Sequence, residues 1–191
     1  RCFLLFLKNS GISVKKTISV ETQSGLIALS FEENNQISVN MGFANDNPES
    51  IPFLPNHSTS QTVYINNVEY SFYPISFGNP HAVIKVDSLD NINFSSIGEE
   101  LQNSKFFPKS VNVSFLKVIN KNEISLKVYE RGSGLTLACG TGACAASVIS
   151  IKNGWVTSPV KVHMDGGDLI IKWGPNDEVT LIGPAKIVFE G

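Results

Sequence analysis

An internal repeat constrains the fold of this chain more than any other feature of its sequence. Residues 1–39 align with residues 143–181 without a gap, at a constant shift of 142 positions. Identical residues coincide at Cys2 and Cys144, at Val20 and Val162, at Gly25 and Gly167, and at Asn34 and Asn176. Both copies predict the same order of helix, strand, glycine turn, strand, asparagine turn and strand. The period is too long for a solenoid, so the repeat predicts two related halves packed face to face.

Short segments of alternating apolar and polar residues dominate the sequence, and they are rich in Val, Ile, Phe and Tyr. Gly, Asn, Asp and Pro separate them, which is typical of strands joined by turns. Strands are predicted at 17–22, 26–31, 36–41, 62–66, 69–75, 82–87, 111–119, 123–129, 160–164, 168–173, 178–182 and 185–189. Helices are predicted at 1–9, 97–103 and 142–152. The expected fold class is therefore α+β, with few helices and many strands.

Two of the predicted helices carry terminal signals. Ser96, with Glu99 three residues later, forms a capping-box pattern before the second helix. Asn153-Gly154 is a stop signal after the third helix. Cys144 lies on the small-residue face of that helix and Cys2 matches it in the repeat, so both are expected in the core.

The composition excludes several functional classes. The chain has 15 basic and 17 acidic residues without a cluster of Lys or Arg, so it lacks the electrostatic signature of a nucleic-acid-binding protein. No apolar run approaches the roughly 20 residues that span a bilayer, and no signal peptide is recognised. Three cysteines are too few, and odd in number, for a disulfide framework. These features are typical of a cytoplasmic globular protein with reduced thiols.

The segment 130–143, with the sequence ERGSGLTLACGTGA, combines the features of a reactive site. A strand is predicted to end near Tyr129, and a helix to begin just after Cys139. The first N–H groups of a helix lack partners and carry the positive end of its dipole, so they suit a carboxylate. A thiol at the same point is expected to have a lowered pKa. One loop can therefore hold the carboxylate of a substrate and place a basic thiol beside it.

This combination suits the removal of a proton α to a carboxylate, because backbone N–H groups stabilise the resulting anion. Inversion of the carbon needs a second acid on the opposite face, and the repeat predicts its position. The counterpart of Cys139 falls four residues before Arg1, where a matching Cys-Gly-x-Gly is expected in a segment that precedes this chain. The 191 residues are therefore expected to carry one of two required thiols and to be inactive alone.

The segment 130–143 closely resembles the signature of diaminopimelate epimerase. Gly78-Asn79-Pro80-His81 and Val111-Asn112-Val113 resemble two further markers of that family, and the resemblance covers essentially the whole chain. It begins immediately after the family's first active-site loop, whose Cys-Gly-Asn-Gly-Ala is absent here. The resemblance implies an isomerase of lysine and cell-wall synthesis that interconverts LL- and meso-diaminopimelate. It also implies a homodimer that uses no metal, pyridoxal phosphate or other cofactor.

The resemblance also implies roles for individual residues near the reacting carbon. Cys139 would be one of the two acid/base thiols. His81 would lie beside the site and tune or orient its polar groups. Gly140 and Thr141 would offer backbone N–H groups to the carboxylate at the reacting carbon.

A second set of residues would bind the polar ends of the substrate. The resemblance implies this role for Asn79, Asn112, Glu130 and Arg131. Arg131 suits the far carboxylate because its guanidinium can bind both oxygens. Glu130 suits an ammonium group.

Two alternatives stay open on the residues alone. Gly140-Thr141-Gly142 belongs to a loose G-x-G-x-x-A pattern, and Asp165 follows a later strand, so a nucleotide-binding module is one alternative. Such a module needs several βαβ units, whereas this chain predicts one helix among many strands. A proline racemase-like enzyme, which shares the two-thiol logic, is the other alternative.

Together these features predict a diaminopimelate epimerase-like fold of two pseudo-symmetric halves. Each half is expected to be a curved mixed β-sheet wrapped around a central helix. Residues 42–183 would form the complete C-terminal half with the Cys139 loop. Residues 1–41 and 184–191 would be the remainder of the N-terminal half, which should therefore expose an apolar face.

Overall fold

The computed structural model of the chain describes residues 1–12, 15–22, 25–49, 51–54 and 61–188. The helices are α1 (Cys2–Asn9), α2 (Phe94–Gln102) and α3 (Gly140–Lys152), and a 3₁₀ turn covers Glu33–Asn35. The strands are β1 (Thr17–Thr22), β2 (Gly25–Phe31), β3 (Gln36–Phe43), β4 (Gln61–Ile65), β5 (Val68–Ser76), β6 (Pro80–Lys85), β7 (Asn112–Asn120), β8 (Glu123–Glu130), β9 (Gly134–Thr136), β10 (Val160–Met164), β11 (Gly167–Trp173) and β12 (Glu178–Pro184). The α+β class is confirmed.

The strands form one mixed sheet. Its order is β1-β2-β3-β12-β11-β10-β8-β7-β6-β5-β4, and β9 pairs with β8 outside that path. Among the described strands, β6 with β7 and β8 with β10 are the parallel pairs, and α2 and α3 lie in the two crossovers that connect them. A doubly wound nucleotide-binding sheet is parallel. The nucleotide-binding alternative is therefore wrong.

The repeat is visible as equal strand registers. The hairpin β1–β2 has the register of the hairpin β10–β11, and the pairing of β2 with β3 recurs in the pairing of β11 with β12. Equivalent Cα partners are Val20–Ile27 and Val162–Leu169, and Leu29–Val39 and Ile171–Leu181. Gly25 and Gly167 have φ angles of 108° and 125°, which favour glycine at both hairpin turns. The shift of 142 positions thus relates three strands of each half in space, as predicted.

Helix α3 is the central helix around which the larger part of the sheet is wrapped. All residues from Gly142 to Ser150 are buried. Strands β5 to β8 and β10 to β12 pack against it. Its first three turns are rich in Gly, Ala, Ser and Cys, and such small side chains let strands approach a helix closely from several sides. Cys144 lies in this core, as predicted.

Helix α1 covers its part of the sheet with one side only. Leu4 is fully buried against β2 and β3, whereas Phe3 and Phe6 are 49% and 58% exposed. The equivalent residues of α3, Ala145 and Val148, are fully buried. The part of the chain assigned to the N-terminal half therefore exposes an apolar face, as predicted. The boundaries 1–41 plus 184–191 and 42–183 stay a prediction, because β3 and β12 pair within one continuous sheet.

Two predictions about the helices are wrong. Cys2 is exposed, because it lies at the first turn of α1 on a side that the described strands leave uncovered. Helix α2 begins at Phe94, three residues before the predicted start, and Asn93 caps it by accepting the N–H of Ser96 at 3.1 Å. Asn93 fulfils the capping role that the sequence pattern assigned to Ser96.

Two predictions about the strands also need correction. Strand β9 was not predicted, since three residues are too few to show an alternating pattern. Residues 185–188 are not part of a strand, and 189 lies outside the described residues. The reason is geometric: β12 ends where Pro184 pairs with Gln36, the first residue of β3, so no strand residue opposes the chain beyond that point.

Candidate active site

The predicted site residues meet at one edge of the sheet. His81 in β6 pairs with Asn112 in the parallel strand β7, while β8 runs antiparallel to β7 and ends there at Glu130. The starts of two parallel strands and the end of an antiparallel neighbour share an edge of a sheet. Cys139 is the N-cap of α3, with extended backbone angles of φ −138° and ψ 112°. The helix N-terminus is thereby brought against the same edge.

Cys139 and Glu130 form the central pair of this site. Cys139 is 5% exposed, and its Sγ donates to Oε2 of Glu130 over 3.2 Å. The other carboxylate oxygen, Oε1, accepts the hydroxyl proton of Thr136 at 2.6 Å. A thiol that is hydrogen-bonded to a carboxylate can pass its proton to it and then act as a base. Glu130 thus contacts the thiol, a role beyond the substrate binding expected from the sequence.

The pKa of Cys139 is not lowered, so that sequence prediction is wrong. Burial raises the pKa of Cys139 to about 11, and the hydrogen bond and negative charge of Glu130 act in the same direction. The backbone N–H of Gly142 and the hydroxyl of Thr141 oppose this rise. The helix terminus does favour the thiolate, but the loss of solvent around the charged sulfur outweighs it. Cys139 is therefore a protonated thiol at neutral pH.

Thr141 joins the thiol to the Gly78-Asn79-Pro80-His81 turn. Its Oγ1 accepts from Nδ2 of Asn79 at 3.3 Å, lies 3.0 Å from Nε2 of His81, and lies 3.7 Å from Sγ of Cys139. Burial lowers the pKa of His81 to about 4, so the imidazole is neutral at pH 7. The hydroxyl of Thr141 therefore lies between a neutral imidazole and the thiol. The predicted location of His81 beside Cys139 fits this geometry.

Two polar atoms of this turn are buried without a hydrogen-bond partner among the described residues. They are Oδ1 of Asn79 and Nδ1 of His81. An unpaired buried polar atom costs about 1–3 kcal/mol, so native structures rarely retain one without a reason. Oδ1 of Asn79 is an acceptor only, which suits an ammonium group of a ligand.

Asn112 and Arg131 make contacts within the protein. The side chain of Asn112 donates to the carbonyl of Pro80 at 3.2 Å and accepts the backbone N–H of Arg131 at 2.9 Å. Asn112 therefore ties the His81 turn to the end of β8. Arg131 is exposed, and its Nη1 donates to the carbonyl oxygen of Lys109 at 2.9 Å. Its guanidinium lies at the surface beside the site, and substrate contact stays a prediction for both residues.

The start of α3 is shaped by two glycines. The N–H of Ala143 already bonds to the carbonyl of Cys139 at 2.9 Å, while the N–H groups of Gly140 and Thr141 precede any intrahelical acceptor. A Cβ atom at Gly142 would lie 3.3 Å from Sγ of Cys139 and 3.0 Å from a methyl of Val128. Glycine at this position leaves the space that the thiol occupies.

Thr136 lies in the site, bonded to Glu130, and the sequence analysis did not single it out. A turn with positive φ at Gly132 and Gly134 joins β8 to β9, in which Thr136 pairs with Val128. Side chains two residues apart on a strand share a face, so Thr136 and Glu130 lie on the same side of the ribbon. The sequence signal for this hairpin is the regular spacing of Glu130, Gly132, Gly134 and Thr136 in the signature segment.

The comparisons with known proteins identify the family of the chain. The sequence model of the family described as diaminopimelate epimerase matches residues 73–188. The diaminopimelate epimerases of Pseudomonas syringae and Azotobacter vinelandii are 43% and 42% identical to the chain, which they match over its full length. The chain spans 70% of the length of each of these relatives.

A solved structure shows the same fold at low sequence identity. The hydroxyproline epimerase of Agrobacterium vitis superposes with a TM-score of 0.67 at 15% identity, over 96% of this chain and 61% of that one. Within the described residues, no helix is long and apolar enough to cross a membrane.

The family match and the sequence relatives show that the chain is an isomerase of the amino-acid epimerase class, and a buried thiol paired to a carboxylate at a helix N-terminus is consistent with that class. Within that class the sequence matches decide the subgroup. The chain belongs to the diaminopimelate epimerase family.

Proposed function

We propose that the chain provides the Cys139 part of a two-thiol site that interconverts LL- and meso-diaminopimelate. The hydrogen bond of 3.2 Å from Sγ of Cys139 to Oε2 of Glu130, at the N-terminus of α3, carries this proposal. The pair can act in both directions. The thiol delivers a proton to the α-carbon, and Glu130 takes the proton when the thiolate is needed as a base.

Bond changes in the proposed reaction balance without a cofactor. A thiolate on one face removes the α-proton, so that a C–H bond breaks, an S–H bond forms and the electron pair moves onto the substrate carboxylate. The N–H groups of Gly140 and Thr141 stabilise the negative charge that develops there. A thiol on the opposite face then gives its proton to the same carbon.

The binding of the substrate's far end follows from the remaining polar groups. Oδ1 of Asn79, which has no hydrogen-bond partner in the part of the chain that the structure describes, is available to an ammonium group. Arg131, at the surface beside the site, can turn its guanidinium from the carbonyl of Lys109 to a carboxylate. We further propose a cytoplasmic homodimer without a metal or organic cofactor.

The repeat supports a proposed position for the second thiol. The registers that relate β1–β3 to β10–β12 by 142 positions support a counterpart of Cys139 four residues before Arg1, outside the 191 residues. Sequencing of the source gene and intact mass measurement of its product test this assignment. A Cys-Gly-x-Gly at that position supports the two-thiol mechanism, and any other residue there contradicts it.

The substrate assignment can be tested on this chain by ligand protection. Saturating LL- or meso-diaminopimelate should slow the alkylation of Cys139 by iodoacetamide, measured by peptide mass mapping so that Cys2 is counted separately. Cys144→Ala, which changes a core thiol of the same helix, is the matched control and should keep the protection. Unchanged alkylation with diaminopimelate would refute the assignment, and protection by proline in its place would favour the racemase-like alternative.

A further inference from the structure

The carboxylate of Glu130 has a different partner on each of its two oxygens. Oε2 accepts from Sγ of Cys139 at 3.2 Å, and Oε1 accepts from Oγ1 of Thr136 at 2.6 Å. The second contact is the shorter, and its donor belongs to the three-residue strand β9. Within the described part of the chain, the side-chain hydrogen bond of Thr136 goes to Glu130 and not to the thiol, so Thr136 acts on the chemistry through Glu130.

The position of Thr136 is fixed by the backbone around it. Glu130 pairs with Gly134 and Val128 pairs with Thr136 across the β8–β9 ribbon, so Thr136 and Glu130 are diagonal neighbours on one face. Diagonal side chains on a strand pair come within contact distance. A β-branched side chain has few rotamers at χ1, which keeps the hydroxyl aimed at the carboxylate.

We propose that Thr136 is a positioning residue for Glu130, an inference that rests on the proposed role of the Cys139–Glu130 pair. Its hydroxyl binds one oxygen of the carboxylate and thereby turns the other toward the sulfur. A hydrogen bond from a hydroxyl to a carboxylate is stronger than one between neutral groups. Without it, the Glu130 side chain is free to rotate toward solvent, and the thiol loses its acceptor.

A positioning role of Thr136 and a purely structural role predict different effects on the titration of the Cys139 thiol. The hydrogen bond and charge of Glu130 raise the pKa of Cys139. If Thr136 holds Glu130 in place, removal of its hydroxyl should change the titration of Cys139 in the same direction as removal of the Glu130 charge. A threonine that only stabilises β9 would change the melting temperature and leave that titration unaltered.

The test measures the pH dependence of Cys139 alkylation by iodoacetamide in the chain, with peptide mapping. Thr136→Val keeps the shape and removes the hydroxyl, Thr136→Ser keeps the hydroxyl, and Glu130→Gln removes the charge. Thr136→Val is expected to increase the alkylation rate at pH 8 about threefold, equivalent to half a pKa unit. Thr136→Ser should behave as the unaltered chain.

The double variant Thr136→Val/Glu130→Gln provides the sharpest comparison, because residues that act as a unit are not additive. It should match Glu130→Gln alone. If Thr136→Val fails to fold, Thr136→Ala serves as the second variant without a hydroxyl. An unchanged profile in the valine or alanine variant, beside a shifted profile in Glu130→Gln, overturns this inference alone. An unchanged profile in Glu130→Gln itself counts against the proposed pair, and hence against the proposed function.

Discussion

The Sγ atom of Cys139 lies 3.2 Å from Oε2 of Glu130 and donates its proton to that carboxylate. Since burial and Glu130 raise the pKa of Cys139 to about 11, the resting pair is a thiol and an acceptor for its proton. Because the thiol is protonated at rest, Cys139 can first donate its proton and take a proton back afterwards.

Replacement of the acceptor should make the thiol more acidic. Glu130→Gln keeps the size of the side chain and removes a negative charge that raises the pKa of Cys139. The alkylation rate of Cys139 at pH 8 should rise about threefold to tenfold, since one pKa unit changes the thiolate fraction tenfold. Glu123→Gln, a change of the same kind at the other end of β8, is the control and should leave the rate unaltered. A slower rate in Glu130→Gln would show that the carboxylate does not raise the pKa of the thiol.

Most of the fold could be predicted from the sequence, because alternation and turn residues act locally. The strand 17–22 agrees to the residue with the structure, and the equal registers of the two copies follow from a repeat without gaps. The start of α2 was missed because the capping-box pattern pointed to Ser96, whereas Asn93 caps the helix. The short strand β9 was missed because three residues are too few to show an alternating pattern.

In the candidate site, local properties were predicted and properties that depend on residues farther along the chain were not. The place of Cys139 at a helix N-terminus is a local property and was predicted. Its raised pKa is not local, because it depends on the strands that bury the sulfur and on the side chain nine residues earlier. The sequence spacing indicated that the helix dipole lowers the pKa of the thiol. It gave no information about the loss of solvent, which raises this pKa by more.

His81 should make the stability of the chain depend on pH in the acid range. Burial lowers its pKa from 6.5 to about 4 in the folded state, so the unfolded chain binds a proton more readily. This contribution is fully present above pH 6.5 and is lost as the pH falls to about 4. At its full size, the contribution of His81 to the free energy of unfolding is on the order of 3 kcal/mol.

Urea unfolding at several pH values between 7.5 and 4.5 measures this dependence. His81→Gln should flatten the curve, because the variant has no group there to protonate. Ser147→Ala changes another buried polar side chain that does not titrate and should retain the slope, which makes it the control. Equal slopes for the chain and for His81→Gln would contradict the buried neutral imidazole.

Gly142 should be intolerant of a side chain for a reason specific to the thiol. The added methyl of Gly142→Ala would lie 3.0 Å from Val128 and 3.3 Å from the sulfur. Alanine gains about 1 kcal/mol of helix propensity over glycine, while overpacking of a core costs about 1–3 kcal/mol. A net loss of about 1 kcal/mol and an altered alkylation rate of Cys139 are expected. Gly174→Ala, where the nearest atom is 3.6 Å away, should change neither quantity.

Helix α2 supports the site through a close contact at Gly98. A Cβ atom there would lie 2.4 Å from Cδ1 and 2.9 Å from Cβ of Tyr129, the residue before Glu130. Gly98→Ala must push the tyrosine or the helix away, since neither contact involves the far end of a flexible side chain. We expect a loss of about 2 kcal/mol in the free energy of unfolding.

Gly98→Ala should also change the reactivity of the Cys139 thiol, because a displaced Tyr129 moves the backbone of Glu130. Its effect on the alkylation of Cys139 should follow the direction of Glu130→Gln. Ser95→Ala, on the exposed side of α2, is the control and should stay within about 0.5 kcal/mol of the unaltered chain. A destabilised Gly98→Ala with an unchanged Cys139 profile would mean that the end of β8 is held by Asn112 and Thr136 without help from α2.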